Sequence, residues 1–201
     1  MRCTWCDTKY ASWTPEGETF SVDQVVAEVL RHPAAHAVLT GGEPMAAPEL
    51  WELAAKLRDE GKHITIETAG TIAPGGIACD LASLSPKLSH STPRAGEIAP
   101  GWIERHETLR LQPAVLREWI TGYPYQLKFV VGKEADLAEI EAAVAAIGLP
   151  IPPGKILLMP EGIDQAALEG RRAFLVAACK ERGYRYCERL HIALFGNRRA
   201  T

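Results

Sequence analysis

Two cysteines three positions apart lie near the start of the chain, in the segment Cys3-Thr4-Trp5-Cys6-Asp7-Thr8. Two thiolates at this spacing can turn toward one metal ion or one iron–sulfur cluster, because the residues between them let the chain wrap around it. The same spacing occurs in zinc knuckles and in thioredoxin-like redox pairs. A thioredoxin-type pair follows a strand and begins a helix, and no strand precedes this pair, so its position favours a metal or a cluster.

A glycine-rich segment, Thr40-Gly41-Gly42-Glu43-Pro44, follows the next apolar run. Glycines let a ligand lie against bare backbone, and Pro44 has no N–H to donate. Glu43 supplies a carboxylate that can receive an ammonium group. A tight strand-to-helix turn explains a lone Gly-Gly pair as well. The place of this segment, one strand after the cysteine pair, favours an amino-acid-like ligand.

Apolar runs and helical periods take turns along the rest of the chain. The apolar runs predict buried strands over 37–39, 64–66, 79–84, 127–131 and 155–159. The helical periods predict helices over 21–31, 48–60, 113–120 and 135–147. Such alternation is typical of a parallel sheet whose right-handed crossovers bring the carboxyl ends of the strands onto one rim. Because the polar clusters follow the apolar runs, the site is predicted at that rim.

Length and composition predict one compact globular domain over 1–201. The chain has 201 residues, of which 47% are apolar and 23% charged. A formal net charge of −3 lacks the cationic excess that binds phosphates, so no nucleic-acid partner is expected. No apolar run reaches the roughly 18 residues of a membrane span, so no membrane partner is expected.

The cysteine count favours free thiols in a reducing compartment. The odd number of cysteines, without an export signal, argues against structural disulfides and predicts a cytoplasmic protein. The five are Cys3, Cys6, Cys79, Cys179 and Cys187. The last three are expected to be small buried residues of a core strand, the last helix and the last strand.

The segment 88–125 interrupts the alternation. It is rich in Ser, Pro, Gly and His before the helix predicted over 113–120. We interpret it as an insertion within the domain, which would form a lid, a dimer contact or a surface excursion.

Five motifs in this order resemble the 7-carboxy-7-deazaguanine synthase family of radical S-adenosylmethionine enzymes. The resemblance runs from Arg2 to Asn197 and is weakest over 88–125. The motifs are Cys-x-x-Cys-Asp-Thr near the start, Gly-Gly-Glu-Pro, Glu-Thr-Ala-Gly, Ser-Pro-Lys, and Arg-Leu-His-Ile-Ala-Leu-Phe-Gly-Asn-Arg-Arg near the end. The resemblance implies an α/β fold, a partial (incomplete) TIM-like βα barrel of the radical SAM type that lacks its first strand.

The resemblance also implies a set of cofactors and the residues that hold them. Cys3 and Cys6 correspond to two of the three cysteines of a 4Fe–4S cluster whose open iron chelates S-adenosyl-L-methionine, and Thr8 to the protein ligand of Mg²⁺, a hard ion that suits a hydroxyl oxygen. The residues implied to contact S-adenosylmethionine are Trp5, Cys6, Asp7, Gly42, Glu43, Ser85, Pro86 and Lys87.

The implied reaction is the ring contraction of 6-carboxy-5,6,7,8-tetrahydropterin to 7-carboxy-7-deazaguanine, with loss of ammonia, in queuosine biosynthesis. No residue is assigned direct catalysis, because the cofactor supplies the reactivity. Thr40 matches a substrate contact. Glu67 and His191 are assigned to the substrate from their place at strand ends, and a hydrogen-bonded core or rim role remains an alternative for each. A homodimer and a reductant such as flavodoxin are implied as partners.

The chain departs from the family pattern at its start. The pattern has a cysteine four residues before Cys3, and Met1 stands just before Arg2. We therefore expect the natural start to lie upstream, and expect the 201 residues alone to bind a cluster weakly and to turn over little. Near the end, Arg198 and Arg199 are interpreted either as a clamp for a carboxylate or as a loose basic tail.

Two other functions remain open at the level of sequence. A glycyl-radical-type activating enzyme of the same superfamily shares the first two motifs but leaves Asp7, Thr8 and the stretch from His191 to Asn197 unexplained. A non-catalytic zinc-binding module would combine Cys3 and Cys6 with Cys179 and Cys187.

Overall fold

The computed structural model describes residues 1–198, and at its centre is a parallel sheet of six strands in sequence order. The strands are β1 (His36–Leu39), β2 (His63–Thr68), β3 (Leu81–Leu84), β4 (Tyr125–Val131), β5 (Ile156–Pro160) and β6 (Arg185–Tyr186). Each pairs in parallel with the next. This order, with a crossover between successive strands, is that of an open βα barrel. The predicted α/β partial barrel is confirmed, and the five predicted strands lie within two residues of their expected bounds.

Eight helices of the described residues 1–198 surround the sheet: the first two precede β1, the next five lie between strands, and the last follows β6. They are α1 (Lys9–Ser12), α2 (Val22–Leu30), α3 (Leu50–Asp59), α4 (Pro100–Leu109), α5 (Pro113–Gly122), α6 (Asp136–Ile147), α7 (Gln165–Arg182) and α8 (Leu190–Phe195). Short 3-10 turns occur over Pro44–Ala46, Ser89–Ser91 and Pro153–Lys155. The four predicted helices correspond to α2, α3, α5 and α6. None of the helices within residues 1–198 is long and apolar enough to cross a membrane.

Local chemistry fixes the start of α2 and the end of α3. The Ser21 hydroxyl accepts from the backbone N–H of Gln24, whose side chain accepts from the backbone N–H of Ser21, so that a capping box starts α2. Gly61 follows α3 with a φ of 75°, a left-handed conformation that glycine adopts without a Cβ penalty. Gly61 thus marks the point where the chain leaves α3 and turns into β2.

The two faces of the sheet differ in polarity. Alternate residues of the strands, among them Ile64, Ile66 and Phe129, are fully buried beneath the helices. The opposite face has Glu67, Ser83 and Gln126 as lateral neighbours in the register of β2, β3 and β4. The polar inner face of such a barrel can present hydrogen-bonding groups to a ligand. The apolar outer face packs against the helices, which stabilises the sheet.

The segment 88–125 is ordered and largely helical. After the turn at Ser89–Ser91 it forms α4 and α5. Trp119 of α5 is fully buried and donates its indole N–H to the carbonyl of Ile72 at 2.9 Å. Leu116 of α5 packs against Gly70, where a Cβ would lie 2.4 Å from a leucine methyl carbon. The second half of the segment is therefore part of the core.

Candidate active site

The glycine segment contacts helix α1, which directly follows the cysteine segment, at the carboxyl-end rim. At Gly42 a Cβ would lie 2.6 Å from the carbonyl oxygen of Ala11, so only glycine allows this approach of the two backbones. Next to Ala11, the Ser12 hydroxyl lies 3.2 Å from the Cys6 sulfur. The structure thus brings together the two motifs that the sequence predicted to share one ligand.

Glu43 links the glycine segment to the end of β2 by hydrogen bonds. Its carboxylate accepts from the Thr68 hydroxyl at 2.7 Å, from the Ala69 N–H at 3.0 Å and from the Met45 N–H at 3.2 Å. Two of these donors reach Oε1 and one reaches Oε2, and a carboxylate oxygen accepts two hydrogen bonds. Oε2 therefore keeps one acceptor position for a ligand.

The two thiols lie in different environments. Cys3 is buried and its pKa is raised by burial, an effect that the nearby Lys87 ammonium opposes. Its carbonyl accepts from the Trp13 indole N–H at 3.0 Å, which fixes the loop. Cys6 is partly exposed and has hydroxyl neighbours, Ser12 and Thr8, the latter with its oxygen 3.6 Å from the sulfur. Thr8, predicted as the Mg²⁺ ligand, thus lies beside Cys6, which is predicted as a cluster ligand.

Lys87 places a cation beside the cysteine pair. Its ammonium donates to the Ser85 carbonyl at 2.7 Å and to the Ser85 hydroxyl at 2.9 Å. Desolvation lowers its pKa, while Cys3, Glu43 and Cys6 act in the opposite direction. An ammonium has three donors and Ser85 takes two, so one proton is available for a carboxylate or hydroxyl of a ligand. Pro86, between them, is buried.

A histidine that the sequence interpretation did not single out supports Trp5. The His90 ring stacks on Trp5 with ring centroids 5.8 Å apart. Its two nitrogens lie 3.4 Å from Asp136 and 3.2 Å from Glu161, and the pKa of Glu161 is lowered by His90. The Trp5 indole N–H is buried and has no hydrogen-bond partner within residues 1–198. An unpartnered buried donor at this place is suited to an acceptor on a bound ligand.

The end of the described chain returns to the cysteine loop. Asp7 Oδ2 accepts from the buried Arg189 guanidinium at 2.9 Å and lies 3.2 Å from His191 Nε2. Asp7 and His191 are therefore neighbours, but His191 lies within α8 and not at a strand end, so that part of its prediction is wrong. Arg189 was not predicted. Arg199 lies outside the described residues, and Arg198 is exposed.

The predicted substrate residues lie on or beside the inner face. Thr40 is exposed directly after β1, and Glu67 lies on the inner face of β2. The Lys128 ammonium donates to Glu67 at 2.7 Å, and Gln126 donates to Ser83 at 3.1 Å. Lys128 was missed because a lysine within an apolar strand gives no motif, although alternation along β4 places it opposite the buried positions.

The remaining cysteines lie apart from the pair. Cys79 precedes β3 and Cys179 belongs to α7, and both are buried in the core as expected. Cys187 is partly buried after β6. Burial raises its pKa, the Lys128 ammonium lowers it and the Glu67 carboxylate raises it. Across residues 1–198 no three His, Cys, Asp or Glu side chains come together as a metal site. The zinc module that combines the pair with Cys179 and Cys187 is therefore wrong.

These groups fit the implied cofactors. Two adjacent thiols suit two irons of a cluster, and a spare ammonium proton on Lys87 with a spare acceptor on Glu43 suits the carboxylate and ammonium of an amino acid. The missing side chain at Gly42 lets the glycine segment lie directly against α1, beside Cys6. For Mg²⁺ the described residues offer one hydroxyl, Thr8, since the Asp7 carboxylate is paired with Arg189.

Comparison with known proteins gives one family and one fold. The sequence model of the Radical SAM superfamily matches residues 1–89. The chain is 43% identical over 202 residues to 7-carboxy-7-deazaguanine synthase of Rhodopirellula baltica, covering 100% of this chain and 77% of the relative. It is 42% identical over 208 residues to the synthase of Halobacterium salinarum, covering 98% and 79%. The crystal structure of QueE from Escherichia coli superposes with a TM-score of 0.63 at 23% identity, covering 93% of this chain and 79% of that chain.

Proposed function

Because the chain belongs to the 7-carboxy-7-deazaguanine synthase family of the radical SAM superfamily, we propose that it catalyses the ring contraction of 6-carboxy-5,6,7,8-tetrahydropterin to 7-carboxy-7-deazaguanine, with loss of ammonia, in queuosine biosynthesis. The observation that carries the assignment of the site is the contact of Gly42 with Ala11 and Ser12 of α1, because the Ser12 hydroxyl in turn lies 3.2 Å from the Cys6 sulfur. It unites the thiols and the amino-acid-binding groups at one rim.

The cluster and S-adenosylmethionine supply a 5′-deoxyadenosyl radical when bound and reduced. The task of the protein is to hold that ligand and the substrate in one orientation. We assign the ammonium group of S-adenosylmethionine to Glu43 and its carboxylate to Lys87, since these two carry the unused acceptor and donor positions. Trp5, with its free indole N–H, covers the same ligand, and the backbones of Cys6, Asp7 and Gly42 line it.

The inner face is proposed to hold the pterin. Glu67 and Lys128 form a half-buried ion pair, and a bicyclic substrate with an amide, an amine and a carboxylate needs both donors and acceptors. Thr40 and His191, at the rim on either side, complete the proposed substrate set. The exposure of the Val38 side chain on the same sheet leaves an apolar surface for the ring.

Mg²⁺ is proposed to bind the hydroxyl of Thr8. This hydroxyl makes no capping hydrogen bond to α1, and beside its contact with the Cys6 sulfur its oxygen keeps an acceptor position for a ligand. Mg²⁺ keeps several waters and takes few protein ligands, so a single hydroxyl together with the substrate carboxylate is a sufficient donor set.

A site of this kind needs a third cluster cysteine. Cys79 and Cys179 are enclosed in the core and cannot reach the pair without unfolding of β3 or α7. The reading frame upstream of the Met1 codon is the direct test. A cysteine encoded four residues before Cys3 completes the ligand set, and a stop codon in that interval contradicts the upstream-start hypothesis.

The decisive experiment uses the protein translated from its full reading frame. Anaerobic reconstitution with iron and sulfide, then reduction with S-adenosylmethionine, Mg²⁺ and the carboxytetrahydropterin, should yield 7-carboxy-7-deazaguanine by mass spectrometry. Cys6→Ala should abolish iron binding and product, whereas the matched variant Cys179→Ala should retain both, because Cys179 lies in the core away from the site. A protein that binds iron but leaves this pterin unchanged would refute the proposed reaction.

A flavodoxin-like reductant, a homodimer and a cytoplasmic location belong to the same proposal. All three are supported by the family resemblance. The cytoplasmic location is supported also because free thiols and a reducible cluster persist in a reducing compartment. Leu190, Leu194 and Phe195 of α8 are exposed apolar side chains of the type found in subunit contacts. The single-domain organisation over 1–201 stays a prediction.

A further inference from the structure

The short 3-10 turn before α4 is fixed on both of its sides. On one side the backbone N–H and the hydroxyl of Ser89 donate to the Glu139 carboxylate of α6 at 2.8 and 2.7 Å. On the other side the carbonyl of Ser91 accepts from the backbone N–H of Thr4 at 2.9 Å. The place of His90, which lies between the two serines, is therefore set by α6 and by the cysteine loop together.

A buried histidine of α4 strengthens this link. The Ser91 hydroxyl and His106 Nε2 are 2.8 Å apart, and Nδ1 of His106 accepts from the backbone N–H of Arg2 at 3.3 Å. An accepting Nδ1 is unprotonated, so the proton of the neutral ring lies on Nε2 and is donated to Ser91. His106 and Ser91 are 1% and 0% exposed, so solvent does not compete for these bonds. Both the turn and the cysteine loop are thus bound to α4.

Two carboxylates lie at the two nitrogens of the His90 ring. Nδ1 is 3.4 Å from Asp136 of α6, and Nε2 is 3.2 Å from Glu161 after β5. Both contacts are at ion-pair distance but lack the direction of a hydrogen bond. The Asp136 carboxylate is itself fixed, because it accepts from the backbone N–H groups of Gly132 and Lys133 at 2.8 and 3.1 Å. The two carboxylates flank the ring at both edges and limit how it can turn.

The plane of the His90 ring in turn determines the orientation of Trp5. The two rings are stacked, with their planes inclined by 29°. The Lys87 ammonium lies over the Trp5 ring, 6.0 Å from its centroid. An indole packed against these neighbours presents its N–H in one direction. That N–H is buried and has no hydrogen-bond partner within residues 1–198, so it is directed at a position that a ligand can fill.

We propose that His90 is a positioning residue for S-adenosylmethionine, because its braced ring holds the Trp5 indole so that the N–H donates to the bound ligand. The inference rests on the proposed function, which assigns this ligand to Trp5. A donor that is fixed before the ligand arrives avoids the entropic cost of ordering it on binding. Removal of the His90 ring should therefore weaken the binding of S-adenosylmethionine and leave the cluster content unchanged.

The test is the dissociation constant of S-adenosylmethionine for the reconstituted protein from the full reading frame, measured by anaerobic calorimetry. His90→Ala should weaken binding roughly two- to tenfold, which is the contribution of one aromatic pair. His36→Ala is the matched control, because it removes a histidine ring that also contacts another ring, His63, but at the amino ends of β1 and β2. Its dissociation constant should equal that of the wild type.

A Trp5→Phe background separates positioning from a general loss of packing. Phenylalanine keeps a ring beside His90 but has no N–H, so in this background His90→Ala should weaken binding no further. If the two losses add, His90 does not act through the indole N–H, and the inference is overturned.

Near-UV circular dichroism of the cluster-free protein gives a readout that is independent of the ligand, because these bands report the fixed packing of aromatic side chains. His90→Ala should alter the tryptophan bands of the wild type and leave those of Trp5→Phe unchanged. Identical spectra of the wild type and His90→Ala would show that His90 does not orient Trp5.

If His90→Ala does not fold, His90→Gln decides the question, because glutamine retains a donor for either carboxylate and lacks the ring. Wild-type affinity in His90→Gln would then overturn the inference. The outcomes also separate this inference from the proposed function. A wild-type protein that does not bind S-adenosylmethionine overturns both, whereas binding that is equally tight in the wild type, His90→Ala and His90→Gln overturns this inference alone.

Discussion

Acidification from pH 7 to pH 4 should destabilise the cluster-free protein by about 3 kcal/mol through His106 alone. Burial disfavours the charged ring and lowers the pKa of His106 from 6.5 to about 4. Each unit of difference between folded and unfolded pKa contributes about 1.4 kcal/mol. Between pH 6.5 and 4 the unfolded chain binds a proton that the folded chain does not, so the free energy of unfolding falls as the pH falls.

The assay is urea unfolding at a series of pH values from 7 to 4, for the wild type and His106→Gln. The glutamine variant keeps an acceptor for Arg2 and a donor for Ser91 but does not titrate. Its free energy of unfolding should therefore vary less over this window. Three carboxyl groups, those of Glu97, Glu107 and Glu161, have lowered pKa values. The stability that they contribute is therefore lost mainly below the unfolded value of about pH 4.3. Parallel pH profiles for the two proteins would refute the assignment of a neutral, buried His106.

Three further predictions concern ligand binding. Gly42→Ala should weaken S-adenosylmethionine binding roughly ten- to a hundredfold, since its Cβ meets the Ala11 carbonyl, while Gly41→Ala, with open space at its Cβ, should bind normally in calorimetry. Thr8→Val should raise the Mg²⁺ concentration for half-maximal turnover about tenfold without changing cluster content, and an unchanged Mg²⁺ dependence would exclude Thr8 as the ligand. Lys87→Met should raise the KM for S-adenosylmethionine at least tenfold with intact iron content, and an unaltered KM would contradict its role as the carboxylate partner.

The fold was predictable because the periodic segments coincide with the elements that form the core. The strands and the helices α2, α3, α5 and α6 have apolar spacing that matches their geometry. The helix α4 was missed for a physical reason. The buried residue on α4 is His106, a polar residue that the helix directs toward the cysteine loop, so the segment lacks an apolar stripe.

The sequence predicts which residues belong to the candidate site, but it predicts only some of the contacts between them. The cysteines, the glycines, Lys87 and Glu43 could be identified because each lies in a short motif of consecutive residues. Their partners are remote along the chain: Arg189 meets Asp7 across 182 positions, and His106 meets Arg2 across 104. Such pairs cannot be predicted from periodicity or local spacing. They form only because the register of the sheet and the packing of α4 bring distant parts of the chain together.

The distribution of these contacts implies that the site is less stable than the core. The cysteine loop has no strand partner within residues 1–198. Its backbone N–H groups donate to Ser91 and His106, and Asp7 accepts from Arg189, whereas β2 to β5 lie beneath helices. Elements with few buried apolar contacts open at lower free energy than the global transition. Cluster binding adds its own free energy to the loop alone, so it should raise amide-exchange protection around residues 3–12 more than in β4. Equal gains in both regions would show that the loop and the core unfold as one cooperative unit.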